Sequence, residues 1–190
     1  MSWLVTILPY VDQGALYTRI NGKNGWDAED NHAWVSVSIS VYRCPAHPEI
    51  ASSQTHYVGL TGIGADSPLL EKDQPNAGFF GYTRRISNVD IIDGQSCTAA
   101  VIETASDNGP WASGGMFTVR SVAPDVTEYV GAGGPFGLKH KTDTFFRSNP
   151  FIANTAFADG SVRSMAATVS PEVLRALVTI AGREEVTPDF

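Results

Sequence analysis

The most constraining feature of the chain is an Asp-Gly pair that stands between two strand-like stretches near the carboxyl end. Residues 154–157 and 161–165 flank Asp159-Gly160 with short runs of apolar and β-branched side chains. Asp-Gly favours the positive φ angles of tight hairpin turns. The segment therefore predicts an antiparallel β-hairpin with a two-residue turn. Because such a turn fixes strand register, Asp159 and Gly160 are interpreted as structural residues.

Three other segments have strand character. Residues 3–8 (WLVTIL) and 56–60 (HYVGL) are short apolar runs, and residues 98–103 (TAAVIE) read as a buried strand. The last of these follows a second Asp-Gly pair, Asp93-Gly94. This pair predicts a turn before the strand, and it receives the same structural interpretation as the first pair.

Residues 33–42 (AWVSVSISVY) allow two interpretations. Apolar and polar residues alternate with a period of two, as in a half-buried strand. Ala33, Val37 and Val41 are also spaced four apart, as on one face of a helix. The sequence leaves both interpretations open.

A helix is predicted near the carboxyl end. Ser170 is a favourable N-cap, Pro171 suits the first helical position, and Glu172 places an acid in the first turn. The helix is expected over residues 172–181 and should stop at Gly182, because glycine commonly ends helices.

Composition indicates a folded domain and excludes some function classes. Hydrophobic residues make up 43% of the 190 residues and charged residues 17%, a balance typical of globular proteins. The net charge of −7 argues against nucleic acid as a partner. No run of about 18 apolar residues is present. We predict one globular domain over residues 1–190, of the α+β class, with a mainly antiparallel β-sheet and short helices.

No catalytic motif is readable. The histidines form no ligand pair at helical spacing, there is no nucleophile elbow, and the glycine-rich residues 131–137 lack the Lys-Ser or Lys-Thr of a phosphate loop. We therefore expect no enzyme activity, no metal site and no cofactor. One reservation concerns a loop with Asp66, Glu71 and Asp73, whose oxygens would suit Ca²⁺. The alternative is that these acids are simply solvated.

The two cysteines, Cys44 and Cys97, also leave two alternatives. A disulfide would close a loop of about fifty residues and stabilise the fold by roughly 4 kcal/mol. The other interpretation is two unrelated thiols. Neither cysteine belongs to a CxxC pair, so a redox or zinc motif is not indicated.

Three residues are candidates for binding. Trp26 and Trp111 lie in polar, turn-rich segments, where exposed aromatic rings stack on sugars or contact a protein partner. The alternative is that they fill small hydrophobic clusters. His140 lies between two lysines, which is typical of a solvated surface histidine.

A series of short segments, in order along nearly the whole chain, resembles one protein family. They are SW at residues 2–3, LPYVDQ at 8–13, YRCP at 42–45, THYVG at 55–59, IDGQSCT at 92–98, VIETA at 101–105 with PW at 110–111, GPFG at 134–137 with His140, FADGSVR at 157–163, and PEVLRAL at 171–177 with AG at 181–182. The family is DUF1559, a group of planctomycete-type proteins with a prepilin-type leader and an H-x9-DG motif near the carboxyl end.

The resemblance allows two alignments of the family histidine with this chain. Without a gap, Asn149 stands where the motif has its histidine, ten residues before Asp159. With a short insertion, His140 would be that histidine instead. Cys97 stands where the family pattern has asparagine, so a Cys44–Cys97 bridge would be particular to this protein.

The resemblance implies an exported pilin- or pseudopilin-like head domain, of the type IV pilus or type II secretion kind. In that scheme a leader is trimmed, an apolar helix anchors the subunit or packs in a filament, and the head faces outward at the cell envelope. The family's leader and helix are missing from these residues. Partners would be other pilin-like subunits or secretion machinery. The alternative is an adhesin-like module that binds carbohydrate or protein through Trp26, Trp111 and their neighbours.

Overall fold

The computed structural model describes residues 1–47, 49–140 and 151–184. Within them a mixed six-stranded β-sheet and several short helices confirm the predicted α+β class. The helices are α1 (Trp3–Thr6), α2 (Gly14–Tyr17), α3 (Glu29–Val35) and α4 (Pro171–Leu177), and the strands are β1 (Tyr57–Ile63), β2 (Ala99–Glu103), β3 (Val119–Val122), β4 (Leu138–Lys139), β5 (Phe151–Phe157) and β6 (Val162–Ala166). Single 3-10 turns lie at Leu8–Val11, Ser40–Tyr42, Ser67–Leu69, Asn88–Asp90 and Gln95–Cys97.

The chain divides into two compact units. Unit 1 comprises Met1–Tyr57 and Asp107–Thr118, and unit 2 comprises Val58–Ser106 and Val119–Phe190. Each unit contains a hydrophobic core of its own. This division is not predictable from the sequence, because nothing in residues 107–118 signals that they join the first unit. The single domain over residues 1–190 stays a prediction.

The sheet is mixed, with antiparallel pairs around β5 and a parallel pair of β1 and β3. Its order is β3-β1-β2-β5-β4, and β6 also pairs with β5. Strand β5 is antiparallel to β2, β4 and β6, whereas β1 and β3 are parallel. The chain between β1 and β3 is long enough for the crossover that a parallel pair requires. Apolar residues of the strands and of α4 form the core of unit 2, among them Leu60, Ile102, Met165 and Leu174.

The predicted hairpin is confirmed as β5 and β6. Its turn differs from the expected two-residue form, because Phe157 pairs with Ser161 and three residues lie between them. The Gly160 N–H donates to the Phe157 carbonyl (2.9 Å), and the Phe157 N–H donates to the Ser161 carbonyl (2.8 Å). Gly160 has a φ of +84°, as in a three-residue loop whose last residue is left-handed.

Unit 1 is built from short helices around a small apolar cluster. The expected strand at residues 3–8 is wrong, since α1 and a 3-10 turn occupy this segment. Leu4 and Leu8 are four residues apart and both fully buried, so helical spacing places them on one face. Residues 33–42 follow neither alternative, because α3 ends at Val35 and a 3-10 turn covers Ser40–Tyr42. Val37 and Val41, on the expected helix face, are both exposed.

Helix α4 is confirmed, and it begins as predicted. The Ser170 side chain accepts a hydrogen bond from the Val173 N–H (3.3 Å), which satisfies one of the unpaired donors at the helix start. The helix ends at Leu177 rather than at Ala181, and both Leu174 and Leu177 are buried. Within the described residues, no helix has the length and apolar character needed to cross a bilayer.

Candidate functional site

The carboxylate of Glu103 is the most unusual polar group in unit 2. Glu103 is the last residue of β2 and has no solvent-exposed surface. Its backbone carbonyl accepts from the Gly137 N–H (2.9 Å), and the neighbouring Thr104 forms a bridge with Gly137. These contacts join the end of β2 to the residues just before β4. The side chain is therefore held where β2, β4 and β5 meet.

Three donors converge on one oxygen of this carboxylate. His140 Nε2 lies 2.9 Å from Glu103 Oε2, and the His140 side chain is only 18% exposed. Asn154 of β5 donates its backbone N–H (3.2 Å) and its Nδ2 (3.1 Å) to the same oxygen. Ser164 of β6 donates to Asn154 Oδ1 (2.7 Å), which fixes the orientation of the amide. A chain of hydrogen bonds thus runs from β6 through β5 to the buried carboxylate.

The second oxygen of the carboxylate is different. Glu103 Oε1 is buried and has no hydrogen-bond partner among the residues that the structure describes. A buried polar atom without a partner costs about 1–3 kcal/mol, so it needs a compensating feature. A carboxylate that holds an imidazole fixes which ring nitrogen faces it, an arrangement that orients histidines for proton transfer or metal binding. In unit 2 this arrangement links β2, β5 and β6.

The structure corrects the expectation for Trp111. This residue is fully buried, its Nε1 donates to the Val37 carbonyl (3.0 Å), and its ring lies 5.9 Å from that of Tyr42. It fills the core of unit 1, so it does not present a face to a sugar. Trp26 is half-buried against the same cluster. The alternative interpretation, in which tryptophans fill a small hydrophobic cluster, is the one that the structure follows.

The Asp93-Gly94 pair forms a turn ahead of β2, as predicted. The Asp93 carboxylate also accepts from the backbone N–H groups of Gly182 (2.7 Å) and Arg183 (2.8 Å). Asp93 therefore binds the segment after α4, a role that turn chemistry alone does not reveal. Gly94 has a φ of +95°.

The other predicted site residues are placed as follows. Asp159 accepts from the Ser161 N–H (2.9 Å), and its contacts with Ser161 lower the pKa of its carboxyl group. His140 contacts Glu103 and is not the solvated residue that its lysine neighbours suggested. Asn149, the alternative position of the family histidine, lies outside the described residues.

The cysteines and the loop acids complete the predicted set. Cys44 is buried in unit 1, and Cys97 is half-buried in unit 2. The choice between a disulfide and two unrelated thiols stays a prediction. Asp66, Glu71 and Asp73 are exposed and do not gather into a group that would hold a metal ion in the part of the chain that is described.

Sequence reasoning overlooked Arg84, which organises a loop of unit 2. Its guanidinium group donates to a set of backbone carbonyls. These belong to Thr61 (2.7 Å), Ser67 (2.9 Å), Leu70 (2.7 Å), Gly78 (3.1 Å) and Phe80. Burial lowers the pKa of Arg84 below its usual value, although the group remains a cation at physiological pH. A lone arginine in a turn-rich segment carries no sequence signal for this role.

Comparison with known proteins identifies the family. A family model described as "Protein of unknown function (DUF1559)" matches residues 1–172. The chain belongs to this family. No curated protein and no solved structure matches the chain. Glu103, His140 and Asn154 come from separate regions of this DUF1559 chain, and its fold brings all three together.

Proposed function

We propose that the chain is the outward-facing head domain of a pilin- or pseudopilin-like subunit, with a structural or assembly role in a cell-surface or secretion filament. It is proposed to act at the cell envelope, with other pilin-like subunits or secretion machinery as partners, and without catalysis. Membership of the DUF1559 family agrees with this assignment.

The observation that carries the proposal is that the side chains of the motif residues contact the chain's own backbone or core. Asp93 holds the segment after α4, Asp159 holds its own hairpin turn, and Trp111 fills the core of unit 1. Each lies in a segment that resembles the family pattern, and each satisfies the chain's own backbone or core. Such residues build a rigid folded head, which is what a filament subunit needs.

Surface labelling of intact cells tests whether the head faces outward. Met116 is 64% exposed and Ala112, in the same loop of unit 1, is fully buried. Met116→Cys, in a Cys97→Ser background of the full-length protein, should react with a membrane-impermeant maleimide on intact cells. Ala112→Cys is the matched control and should react only after unfolding. Labelling of Met116→Cys only after cell lysis would contradict an outward-facing head.

Assembly is tested by shearing the same cells. The proposal expects the protein in the sheared, high-molecular-weight fraction and antibody labelling along filaments in electron micrographs. A cytoplasmic enzyme serves as the lysis marker. Recovery of the protein only as a soluble species that co-fractionates with this marker would contradict a filament subunit.

A second candidate function is a carbohydrate- or protein-binding module. Unit 1 contains an open cavity of about 560 Å³ lined partly by Ser40, Val41, Arg43 and Tyr57. Val41 is 55% exposed, so an apolar contact lies beside a cation and hydroxyl groups. Such a mixture suits a glycan or a peptide.

Fluorescence titration separates the two functions. Trp111 lies beside Tyr42, next to the residues that line this cavity, so its emission reports on binding there. A binding module predicts a saturable change with an oligosaccharide such as chitotriose, and loss of that change in Val41→Asp. A head that only packs in a filament predicts no change across a glycan panel.

A further inference from the structure

Strand β6 is an outer strand of the sheet. It pairs with β5 along its whole length, from Val162 opposite Ala156 to Ala166 opposite Ile152. No strand lies on its other side among the described residues. Within this part of the chain, the backbone groups of β6 that point away from β5 therefore have no strand partner.

The hydrogen-bond pattern between β5 and β6 identifies which backbone groups of β6 point outward. The Phe157 N–H donates to the Ser161 carbonyl, so this is a hydrogen-bonded pair of the hairpin. Hydrogen-bonded and non-hydrogen-bonded pairs alternate in antiparallel ladders. The N–H and C=O groups of Val162, Ser164 and Ala166 must therefore point away from β5.

Two contacts on the opposite side agree with this alternation. Asn154, which is opposite Ser164, directs its own N–H away from β6 and toward Glu103 (3.2 Å). The side chains of Ser164 and Asn154 are in contact at 2.7 Å, as in close non-hydrogen-bonded pairs. The outward groups of β6 are thus assigned by two backbone hydrogen bonds, and the side-chain contact agrees with them.

Among the described residues, most of the outer edge of β6 lacks the usual protection of edge strands, and the turn that follows bonds only the Ala166 carbonyl, through the Val169 N–H. Natural edges are blocked by lysine, proline, a bulge or a covering segment. Residues 162–166 (VRSMA) contain neither lysine nor proline, and the pairing with β5 has no bulge. The one charged side chain, Arg163, lies over the Phe157 ring, 4.4 Å from its centroid. Val162 is 68% exposed.

We propose that this edge is an interaction surface for a second copy of the chain, which adds its own β6 in antiparallel orientation. The three outward residues are spaced evenly about Ser164, so a two-fold axis through Ser164 makes the edge self-complementary. Ser164 then faces Ser164 of the second copy, and Val162 faces Ala166 of the second copy. Roughly six backbone hydrogen bonds form across the axis.

The side chains suit this pairing. Arg163 faces Met165 of the second copy, so no like charges meet directly. Val162 of the second copy lies beside Ala166, which lines a cavity of about 260 Å³ together with Val169 and Val173. The Ala166 carbonyl also accepts from the Val169 N–H (3.0 Å), and a carbonyl has capacity for two donors.

Strand pairing over five residues makes a small interface, so we expect a weak dimer that depends on concentration. The pairing does not rest on the proposed function. Isolated heads in solution would show it whether or not the full protein enters a filament, so failure of one proposal leaves the other intact.

Disulfide trapping tests the register directly. In a Cys97→Ser background, Ser164→Cys places two thiols at a hydrogen-bonded pair, with Cα atoms about 5.5 Å apart and within disulfide range. We expect an intermolecular disulfide under mild oxidation. Val162→Cys is the matched control, because its equivalent lies about 13 Å away along the paired strands. It should cross-link only when mixed with Ala166→Cys.

Two outcomes of the cross-linking experiment would overturn the proposal. Equal cross-linking of Ser164→Cys and Val162→Cys indicates random collision, and absence of cross-linking in both indicates no pairing. Either result would refute a β6–β6 dimer in this register.

A proline variant tests the backbone contribution without new thiols. Ser164→Pro removes the outward N–H and leaves the β5 ladder intact, because that N–H does not face β5. Ser164→Ala, the control, removes the hydroxyl but keeps the N–H. In sedimentation velocity we expect the proline variant to weaken the dimer by tenfold or more and the alanine variant by less than threefold, with circular dichroism confirming that both are folded. Equal dimerisation of all forms would refute the proposal even if cross-linking occurs.

Discussion

Replacement of Arg84 by methionine should destabilise unit 2 more than any other exchange of a half-exposed residue. The guanidinium group makes five hydrogen bonds to backbone carbonyls of the same loop region. A net contribution of about 0.5–1.5 kcal/mol for each bond gives roughly 2.5–7.5 kcal/mol in total. Because Arg84 is only half-buried, water will reach some of these carbonyls in the variant. We therefore expect a loss of about 3 kcal/mol in the free energy of unfolding.

Urea unfolding followed by far-ultraviolet circular dichroism measures this loss. Arg85 is exposed and adjacent, so Arg85→Met is a matched control and should change the free energy of unfolding by less than about 0.5 kcal/mol. Arg84→Lys keeps the charge but loses the planar fork of donors, and should fall between wild type and Arg84→Met. Equal stability of the two methionine variants would refute the assigned role of Arg84.

Three further predictions follow from single contacts. Asp93→Ala removes the acceptor of the Gly182 N–H (2.7 Å) and should lower the free energy of unfolding by about 1–3 kcal/mol. Hydrogen exchange of the Gly182 amide should become at least tenfold faster, and an unchanged exchange rate would contradict the role of Asp93. The hydrogen bond from Lys72 holds the pKa of Asp90 at about 2, against an ordinary 3.8, so the carboxylate stabilises the fold above about pH 4 and this stabilisation is lost as pH falls toward 2. Lys72→Met should move the NMR titration midpoint of Asp90 upward, and an unmoved midpoint would argue for a different cause. Gly160→Ala places a Cβ at a φ of +84° and should lower the melting temperature by about 2–4 °C, whereas Gly160→Asn should be better tolerated; equal melting temperatures would contradict the strain.

Elements with their own local chemistry were predictable from the sequence. The hairpin is encoded by Asp159-Gly160, and the start of α4 by Ser170 and Pro171. Strand β2 was expected over residues 98–103 and is present at Ala99–Glu103. In each case the residues that determine the structure are neighbours in the chain.

Short apolar runs were not predictable in the same way. Residues 3–8 fit a strand or a helix by pattern alone, because six residues cover less than two helical turns. Their conformation is decided by packing in unit 1, where the Trp3 Nε1 donates to the Thr118 carbonyl (2.7 Å). That contact joins residues too distant in sequence for any local rule.

The candidate site depends on contacts of the same long-range kind. Glu103 and His140 are 37 positions apart, and Glu103 and Asn154 are 51 apart. The glutamate was quoted as part of a family segment, and the one sequence signal of its role is an acid at the end of an apolar strand. Which strand it would face is set by sheet order, and sheet order cannot be deduced from strand patterns alone.

The amino-terminal residue of the native full-length protein, with its modification and the cell fraction that carries it, tests the central proposal most directly. Mass spectrometry of protein purified from its source cells gives the first two, and fractionation gives the third. A pilin-like subunit predicts a cleaved leader and a methylated apolar amino terminus in the envelope fraction. An unprocessed chain that begins at Met1 and is found in the cytoplasm would contradict the proposed function.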